Sequence, residues 1–355
     1  MSQLSHITAL VKEAARKAGF ELAGIAAVQD FSEFRHFEAW IAAGRAGEMK
    51  YMEARDEAGK LKRSSLQSTA PWARSVIVCA INYNTAEPHS VDVDAPGRGW
   101  ISRYAWSRED YHQAVMRRLR DVESQIRRGA DDDSTLIMRC FVDTGPLVER
   151  VYAKRAGVGW IGKNTCLLNQ KTGSWLFLGV ILASLELTRD VPAPDRCGTC
   201  TRCIDACPTD ALVAPYQLDS RLCISYLTIE KRGAVPDEMR EGMGRHVFGC
   251  DICQDVCPWN RKAPATGAAE FQPREGFVNP VLDWLAEMTA EEFREKFRGS
   301  PIRRTKRSGL RRNAVIAMGN SGQRRFVPQL EKLAADEDPV VAESARWALS
   351  KLLAC

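Results

Sequence analysis

No apolar run in these 355 residues is long enough to cross a bilayer. The longest candidate, Leu176 to Leu185, is only strand-sized. A secretory core is missing too, because the stretch from Met1 to Lys17 is amphipathic and carries Lys12, Glu13 and Arg16. These absences argue against a membrane protein and against export, and they place the chain in a reducing cytoplasm. The twelve cysteines are therefore not expected to form structural disulfides. Charge of one sign is also scarce. Fifty Lys and Arg stand against forty-five Asp and Glu, a formal +5 that is too mild to indicate nucleic acid by itself. Hydrophobic content of 45% and charged content of 27% are ordinary for a globular chain. The length suggests two or three domains. A phosphate loop of the G-x-x-x-x-G-K-[ST] kind is absent, since Asn164 follows Lys163. Gly157, Gly159 and Gly162 match the G-x-G-x-x-G spacing, but no conventional strand precedes them. That segment is read as backbone lining a cofactor cavity, with a plain glycine-rich loop as the alternative.

What the chain has is a concentration of cysteine. Cys197, Cys200, Cys203 and Cys207, followed by Pro208, give C-x2-C-x2-C-x3-C-P. Cys250, Cys253 and Cys257, followed by Pro258, repeat the last three ligands, and Cys223 stands alone between the runs. Bacterial two-cluster ferredoxins use this spacing to wrap thiolates around iron–sulfide cubes. Zinc would be served by two C-x2-C pairs and explains neither the third cysteine at x2 nor the Cys-Pro endings. The expectation is two [4Fe–4S] clusters and single-electron transfer. In such folds the last cysteine of each run ligates the other cluster. One cluster is then assigned to Cys197, Cys200, Cys203 and Cys257, the other to Cys207, Cys223, Cys250 and Cys253. Exchanging Cys257 with Cys207 is the alternative. Cys79, Cys140, Cys166 and Cys355 are read as core or incidental.

Periodicity gives the surrounding architecture. Ile7, Leu10, Ala14 and Ala18 share a helical face closed by Gly19. Leu22 to Val28, Ser75 to Tyr83 and Leu136 to Val142 are strand-sized, and Tyr111, Val115, Leu119, Val122 and Ile126 mark a long helix ending at Gly129. Thr165 to Leu168 and Ser174 to Leu182 read as a hairpin around Lys171-Thr172-Gly173. The tail carries three helical faces: Leu310, Ala314, Ala317 and Met318, then Val327, Leu330 and Ala334, then Val341, Ala345, Ala348 and Leu352. Asp338-Pro339 is a helix start. The expected fold class is a multidomain α+β protein with an α/β domain over 1–189, a ferredoxin-like module over 190–262, and a basic segment with a HEAT-like helical repeat over 263–355.

Two further constellations carry chemistry. Asp143 closes an apolar strand before Thr144-Gly145-Pro146. A carboxyl there, buried against a bulky ligand, could donate a proton near neutral pH. A turn-forming Asp is the equal alternative, and Glu149 with Arg150 reads as a surface pair. The second is the basic run from Arg298 through Arg303, Arg304, Lys306 and Arg307 to Arg311, Arg312 and Asn313, which no acidic residue interrupts. It suits phosphate contacts, with Ser300-Pro301 and Ser308-Gly309 holding it partly in loop form.

Together, Ser102-Arg103-Tyr104-Ala105, Asp143-Thr144-Gly145-Pro146, Gly159-Trp160-Ile161-Gly162-Lys163-Asn164, the cysteine runs with Phe248-Gly249-Cys250-Asp251-Ile252-Cys253, and the basic run into Arg312-Asn313 and Gly319-Asn320 resemble the epoxyqueuosine reductase family. The resemblance covers nearly the whole chain. It implies a cobalamin-dependent iron–sulfur oxidoreductase of the cytoplasm. Such an enzyme reduces epoxyqueuosine at the tRNA wobble position to queuosine, with electrons passing from the clusters to cobalamin bound by the N-terminal domain. It also implies Asp143 as proton donor and Arg63, Tyr104, Asp143, Asn164, Ser225 and Asp251 as cofactor contacts. Lys231, Arg303, Arg304, Lys306 and Arg307 would contact tRNA. A flavodoxin- or ferredoxin-type electron donor and a monomeric state are expected. The chain departs from the family pattern at Ser65-Leu66, where Asp-Pro is usual after Arg63-Ser64, and by an extra residue within 106–112. Other readings are a cobalamin and iron–sulfur reductase acting on a small molecule, disfavoured by the basic run, and a non-catalytic electron-transfer adaptor, for which the N-terminal domain is excessive.

Overall fold

The computed structural model describes residues 3–130 and 133–354. Cys355 and Met1 lie outside the described residues. The chain divides into two compact units. One comprises Met1–Asn84, Tyr111–Cys200 and Pro258–Gly267, the other Thr85–Asp110, Thr201–Cys257 and Ala268–Cys355. The division expected from the sequence ran in consecutive segments. The compact units interleave along the chain, because residues 85–110 and 258–267 each pack with sequence-distant partners. Among the described residues no helix is long and apolar enough to cross a membrane.

The first unit is built on a four-stranded sheet. Its elements, in chain order, are α1 (Gln3–Lys17), β1 (Leu22–Ala27), β2 (Ser75–Asn82), α2 (Tyr111–Gly129), β3 (Met138–Phe141), α3 (Glu149–Arg155), β4 (Trp160–Ile161), β5 (Leu167–Leu168) and β6 (Leu176–Ala183). The sheet order is β1-β2-β6-β3, and every neighbouring pair is antiparallel. This corrects the α/β reading of the N-terminal part to α+β. The strand positions were visible as β-branched runs, whereas strand direction depends on long-range partners. β2 is buried along its whole length, as a strand with neighbours on both edges and cover on both faces must be. Ala114, Val115, Leu119, Val122 and Ile126 of α2 are buried, as the periodicity required. The buried face of α1 is rotated from the expected one: it centres on Val11, Ala14 and Ala15. Below the sheet, Phe31, Phe34 and Tyr152 join β1, β2 and α3 in one apolar cluster.

The expected hairpin does not form. β6 lies between β2 and β3, while Leu167–Leu168 pairs with Trp160–Ile161. An isolated bridge between Asn169 and Gly173 closes the intervening turn. Eight paired residues of β6 against β2, six of them buried, outweigh the local pairing that adjacency suggested.

The second unit packs around Trp100, Trp106, Phe248, Phe277, Phe297 and Phe326. A short parallel pair, Trp100–Ile101 with His246–Phe248, crosses it. Its C-terminal part holds α4 (Lys306–Asn320), α5 (Val327–Leu333) and α6 (Pro339–Ala354). The faces read from sequence are the buried ones: Leu310, Ala314, Ala317 and Met318 on α4, Leu330 on α5, and Val341, Ala345, Ala348 and Leu352 on α6. The Asp338 carboxylate accepts from the Val340 N–H at 3.1 Å, completing the expected start of α6. A Cβ on Gly319 would lie 2.9 Å from Ala348, so glycine lets α4 and α6 approach closely. Ser308 and Gly309 fall inside α4, which corrects their reading as loop; the irregular part of the basic run is the turn at Arg298–Ser300 and the short helix Pro301–Thr305 before α4.

Candidate functional site

The two cysteine runs fold into matching turns. In the first, Ile204 and Asp205 N–H groups donate to Thr201 O, Ala206 to Arg202 O, and Cys207 to Ile204 O. In the second, Gln254 and Asp255 donate to Asp251 O, Val256 to Ile252 O, and Cys257 to Gln254 O. The correspondence places Cys203 with Cys253 and Cys207 with Cys257. The short helices Arg202–Asp205 and Ile252–Asp255 pack on each other. Burial pushes the Cys250 thiol well above its ordinary value, and the nearby Cys223, Asp251 and Cys207 add to this. Three of the four cysteines expected for one cluster therefore share one electrostatic environment, costly for bare thiolates and relieved by an iron–sulfur core. This donor set fits the cluster. Among the described residues no three His, Cys, Asp or Glu converge on a single ion; cubane ligands each reach a different iron and need no such convergence.

Asp251 and Asp255 carry the second turn. Asp251 is buried and accepts from Trp100 Nε1 at 3.0 Å, from the Arg103 N–H at 2.7 Å and from the Ser102 hydroxyl. Burial first, then the charge of Asp255, raise its carboxyl to about 6. Asp255 accepts from the Ser90 N–H at 2.9 Å and pairs with His89 Nδ1 at 2.8 Å. Tyr104 lies against Phe248, with ring centroids 5.9 Å apart. The buried Arg103 guanidinium donates to Thr85, Glu87 and Pro88 carbonyls. The Ser102–Tyr104 segment is thus pinned to the cysteine turn by Asp251, whose carboxyl is engaged within the protein. The Ser225 carbonyl accepts from Thr228 Oγ1 at 3.2 Å.

In the first unit, Asp143 follows the end of β3 with φ +60°, in the left-handed region. Its carboxylate is about half exposed (52%) and lies 3.7 Å from His112 Nε2. The Tyr111 hydroxyl donates to it at 3.2 Å. Tyr111 stacks on Phe177 at 4.4 Å with an interplanar angle of 3°, and Phe177 stacks on Tyr83 at 4.3 Å. Glu149 was read as a surface residue. Instead it accepts the Asp143 N–H at 2.8 Å, and burial followed by the Asp143 charge pushes its carboxyl up to about 8. The Arg63 guanidinium donates to Leu147 O at 3.2 Å, so Arg63, Asp143 and Glu149 meet on one loop. The only sequence sign of Glu149's role was its position just after Asp143-Thr144-Gly145-Pro146.

The glycine-rich segment has packing reasons within the protein. Cβ atoms on Gly159 and Gly162 would lie 2.1 Å from Leu168 atoms, and one on Gly157 would lie 2.7 Å from Val191 O. This favours the plain-loop alternative for the glycines. The residues between them do more. The Lys163 ammonium donates to Gly198 O at 2.7 Å and Cys200 O at 3.0 Å, clamping the first cysteine turn. Asn164 is buried, and its side-chain oxygen accepts the Cys166 N–H at 3.2 Å. The Trp160 indole N–H is buried without a hydrogen-bond partner.

The basic run splits in two. Arg303, Arg304 and Lys306 are exposed and Arg307 is partly so. Arg304 pairs with Glu230 at 2.6 Å, and Arg307 Nε donates to Met288 O at 2.7 Å. Arg311 and Arg312 are buried. Arg311 pairs with Asp336, while Arg312 donates to the carbonyls of Leu227 at 2.7 Å, Lys231 at 2.9 Å and Gly233 at 2.7 Å. Their reading as surface charge is corrected: they sit on the inner face of a helix buried nearly all round.

Comparison with known proteins agrees with this arrangement. The family model "Epoxyqueuosine reductase QueG, DUF1730" matches residues 63–144, and "4Fe-4S double cluster binding domain" matches residues 196–260. An epoxyqueuosine reductase of Pseudomonas aeruginosa is 41% identical over 347 residues, covering 96% of this chain and 93% of the relative. The chain belongs to the epoxyqueuosine reductase family. Among solved members, an epoxyqueuosine reductase crystallised with a tRNA-Tyr epoxyqueuosine-modified stem loop superposes with TM-score 0.86 at 30% identity, covering 98% of this chain and 90% of that one. A Bacillus subtilis epoxyqueuosine reductase with its catalytic aspartate loop swung out of the active site gives TM-score 0.85 at 29% identity over the same shares. For this family member the expectation of two [4Fe–4S] clusters is borne out by the matching double-cluster domain.

Proposed function

We propose that this chain reduces epoxyqueuosine in tRNA to queuosine, with two [4Fe–4S] clusters and cobalamin as cofactors. The carrying observation is near full-length similarity to epoxyqueuosine reductases together with the duplicated cysteine turn. The reaction breaks two C–O bonds, forms a C=C bond, takes up two electrons and two protons, and releases water. Bound clusters would supply single electrons, and a corrin would supply a strong reductant at carbon. Cys197, Cys200, Cys203 and Cys257 would hold one cluster, and Cys207, Cys223, Cys250 and Cys253 the other. Supporting a corrin are a half-buried guanidinium at Arg63, a buried amide at Asn164, and the orphaned indole N–H of Trp160, which a bound polar rim would satisfy. Tyr104 and Ser225 complete the proposed contacts, and Asp251 contributes by holding Ser102–Tyr104.

Asp143 is the proton donor in this reading. Its half-exposed carboxyl can deliver a proton to the departing oxygen, while the Tyr111 hydroxyl donates to it and orients it. The exposed Arg303, Arg304 and Lys306, with Arg307 and Lys231, would meet the tRNA phosphates. The consecutive division into a cobalamin-binding part (1–189), a cluster module (190–262) and a tRNA-binding part with a HEAT-like repeat (263–355) belongs to the same reading. So do a cytoplasmic location, a monomeric state and a flavodoxin- or ferredoxin-type donor. The test is anaerobic reconstitution with iron, sulfide and cobalamin, then incubation with epoxyqueuosine-bearing tRNA and a chemical reductant. Conversion that requires both cofactors is expected. A cluster-loaded, corrin-bound protein that leaves the modified tRNA unchanged would overturn the assignment.

A further inference from the structure

We infer that Glu149 is a positioning residue for Asp143, its carboxyl latching the Asp143 N–H and so holding the 143–149 loop in the conformation that presents the Asp143 side chain. The inference rests on the reading of Asp143 as proton donor and adds the device that places it. Asp143 is not glycine, yet its φ is +60°, a backbone state that L side chains rarely adopt unless their surroundings impose it. Other contacts hold the Asp143 side chain, which Tyr111 and His112 meet, and the flanks of the loop. Thr144 N–H reaches Val142 O at 2.7 Å on one side, and Arg63 holds Leu147 O at 3.2 Å on the other. The Asp143 N–H itself is held by Glu149 Oε1 at 2.8 Å, across six positions of chain. Glu149 is the first residue of α3, where an acidic side chain commonly serves its own helix. Here the carboxyl turns back toward the loop instead.

The latch is adjustable. The charged groups facing Glu149 are Asp143, Arg63 and Arg150, and the titratable groups facing Asp143 include Tyr111 and His112. Burial and the Asp143 charge bring Glu149's ionisation up to about pH 8. An ionised carboxylate accepts an N–H more strongly than a neutral carboxyl does. Yet the raised ionisation means that the closed loop holds the neutral carboxyl better than the ionised one, which prefers water, so the latch loosens as pH rises toward that value.

The test uses the full chain with its clusters. Amide hydrogen exchange of peptides spanning 141–147 would be followed from pH 6.5 to 9 in the parent protein, Glu149→Gln and Glu149→Ala, after correction for intrinsic exchange. Turnover of epoxyqueuosine-bearing tRNA would be measured in parallel. The parent should show protection of one amide that falls roughly tenfold between pH 6.5 and pH 8. Glu149→Gln keeps an acceptor oxygen, so it should show protection that does not change with pH and turnover within about threefold of the parent. Glu149→Ala should lose the protection and at least tenfold in kcat, with KM little changed. Unchanged protection in Glu149→Ala, or a parent-like fall with pH in Glu149→Gln, would overturn the latch. Should Glu149→Ala fail to fold, Glu149→Gln alone decides through its pH response. The control Asp143→Asn separates the two readings: full turnover there removes Asp143 as proton donor, whereas the exchange data judge the latch independently.

Discussion

Replacing Arg312 with methionine should unfold far more than it should weaken RNA binding. The side chain lies within one basic run, yet it is 1% exposed. Its guanidinium holds the carbonyls of Leu227, Lys231 and Gly233, and it also meets Asn313 Oδ1 at 2.8 Å. Methionine fills much of the volume but donates nothing. Three carbonyls then lose a charged donor, at about 1–3 kcal/mol each when buried. Two of those bonds are only partly buried and water can replace them in part, so about 3–5 kcal/mol is expected in total. For a unit of this size that lowers Tm by roughly 10 °C. Exposed Arg303 sits only nine residues earlier, and Arg303→Ala should leave Tm within about 2 °C, since surface changes of this kind are near neutral. It should instead weaken tRNA binding and lower the slope of log affinity against log salt by about one. Thermal melts followed by cluster absorbance, and filter binding across a salt series, make the comparison. A stable Arg312→Met protein with a reduced salt slope would refute the division of the run into a buried and an exposed half.

Four other outcomes follow from the site. Asp143→Asn should retain both clusters by iron and sulfide analysis while losing at least a hundredfold in turnover. Glu149 has its ionisation raised from 4.5 to about 8, so its stabilising contribution is full below about pH 4.5 and is lost as pH rises through 8. Glu149→Gln escapes that loss, and its Tm relative to the parent should rise between pH 5 and pH 9. Lys163→Ala removes the ammonium from Gly198 O and Cys200 O, and its iron content should fall faster than the parent's under chelator challenge. Cys223→Ala should keep about half the iron, because only one cluster uses that cysteine; full iron content would disprove its ligand role.

The sequence made local features legible. Cysteine spacing is written in consecutive residues, and the matching turns around Cys203 and Cys253 formed as the spacing required. The apolar stripe of α2 and the Asp338-Pro339 start of α6 depend on neighbours a few positions away, and both were readable. What escaped notice depends on distant partners. The antiparallel order of the sheet, the placement of β6 between two strands, and the burial of Arg312 are set by residues up to a hundred positions off. Glu149 escaped for a different reason. A Glu-Arg pair at a helix start has an ordinary explanation, and nothing in one sequence says that the side chain turns back on its own loop. The glycines of 157–162 misled in the opposite direction, since close packing on Leu168 demands the same residue as a cofactor cradle.

The interleaving of the two units bears on how the protein is made. The first unit includes Pro258–Gly267, and Asn82 and Asn84 side chains donate to Pro264 O at 2.8 Å and Ala263 O at 3.1 Å. The ribosome releases Asn82 long before those carbonyls exist. Until they emerge, the end of β2 waits with its amide partners missing, and by then all eight cluster cysteines have already left the tunnel or are about to. Neither unit can finish folding in the order of synthesis. Excising the cluster stretch together with Pro258–Gly267 would leave the first unit without the segment that completes it.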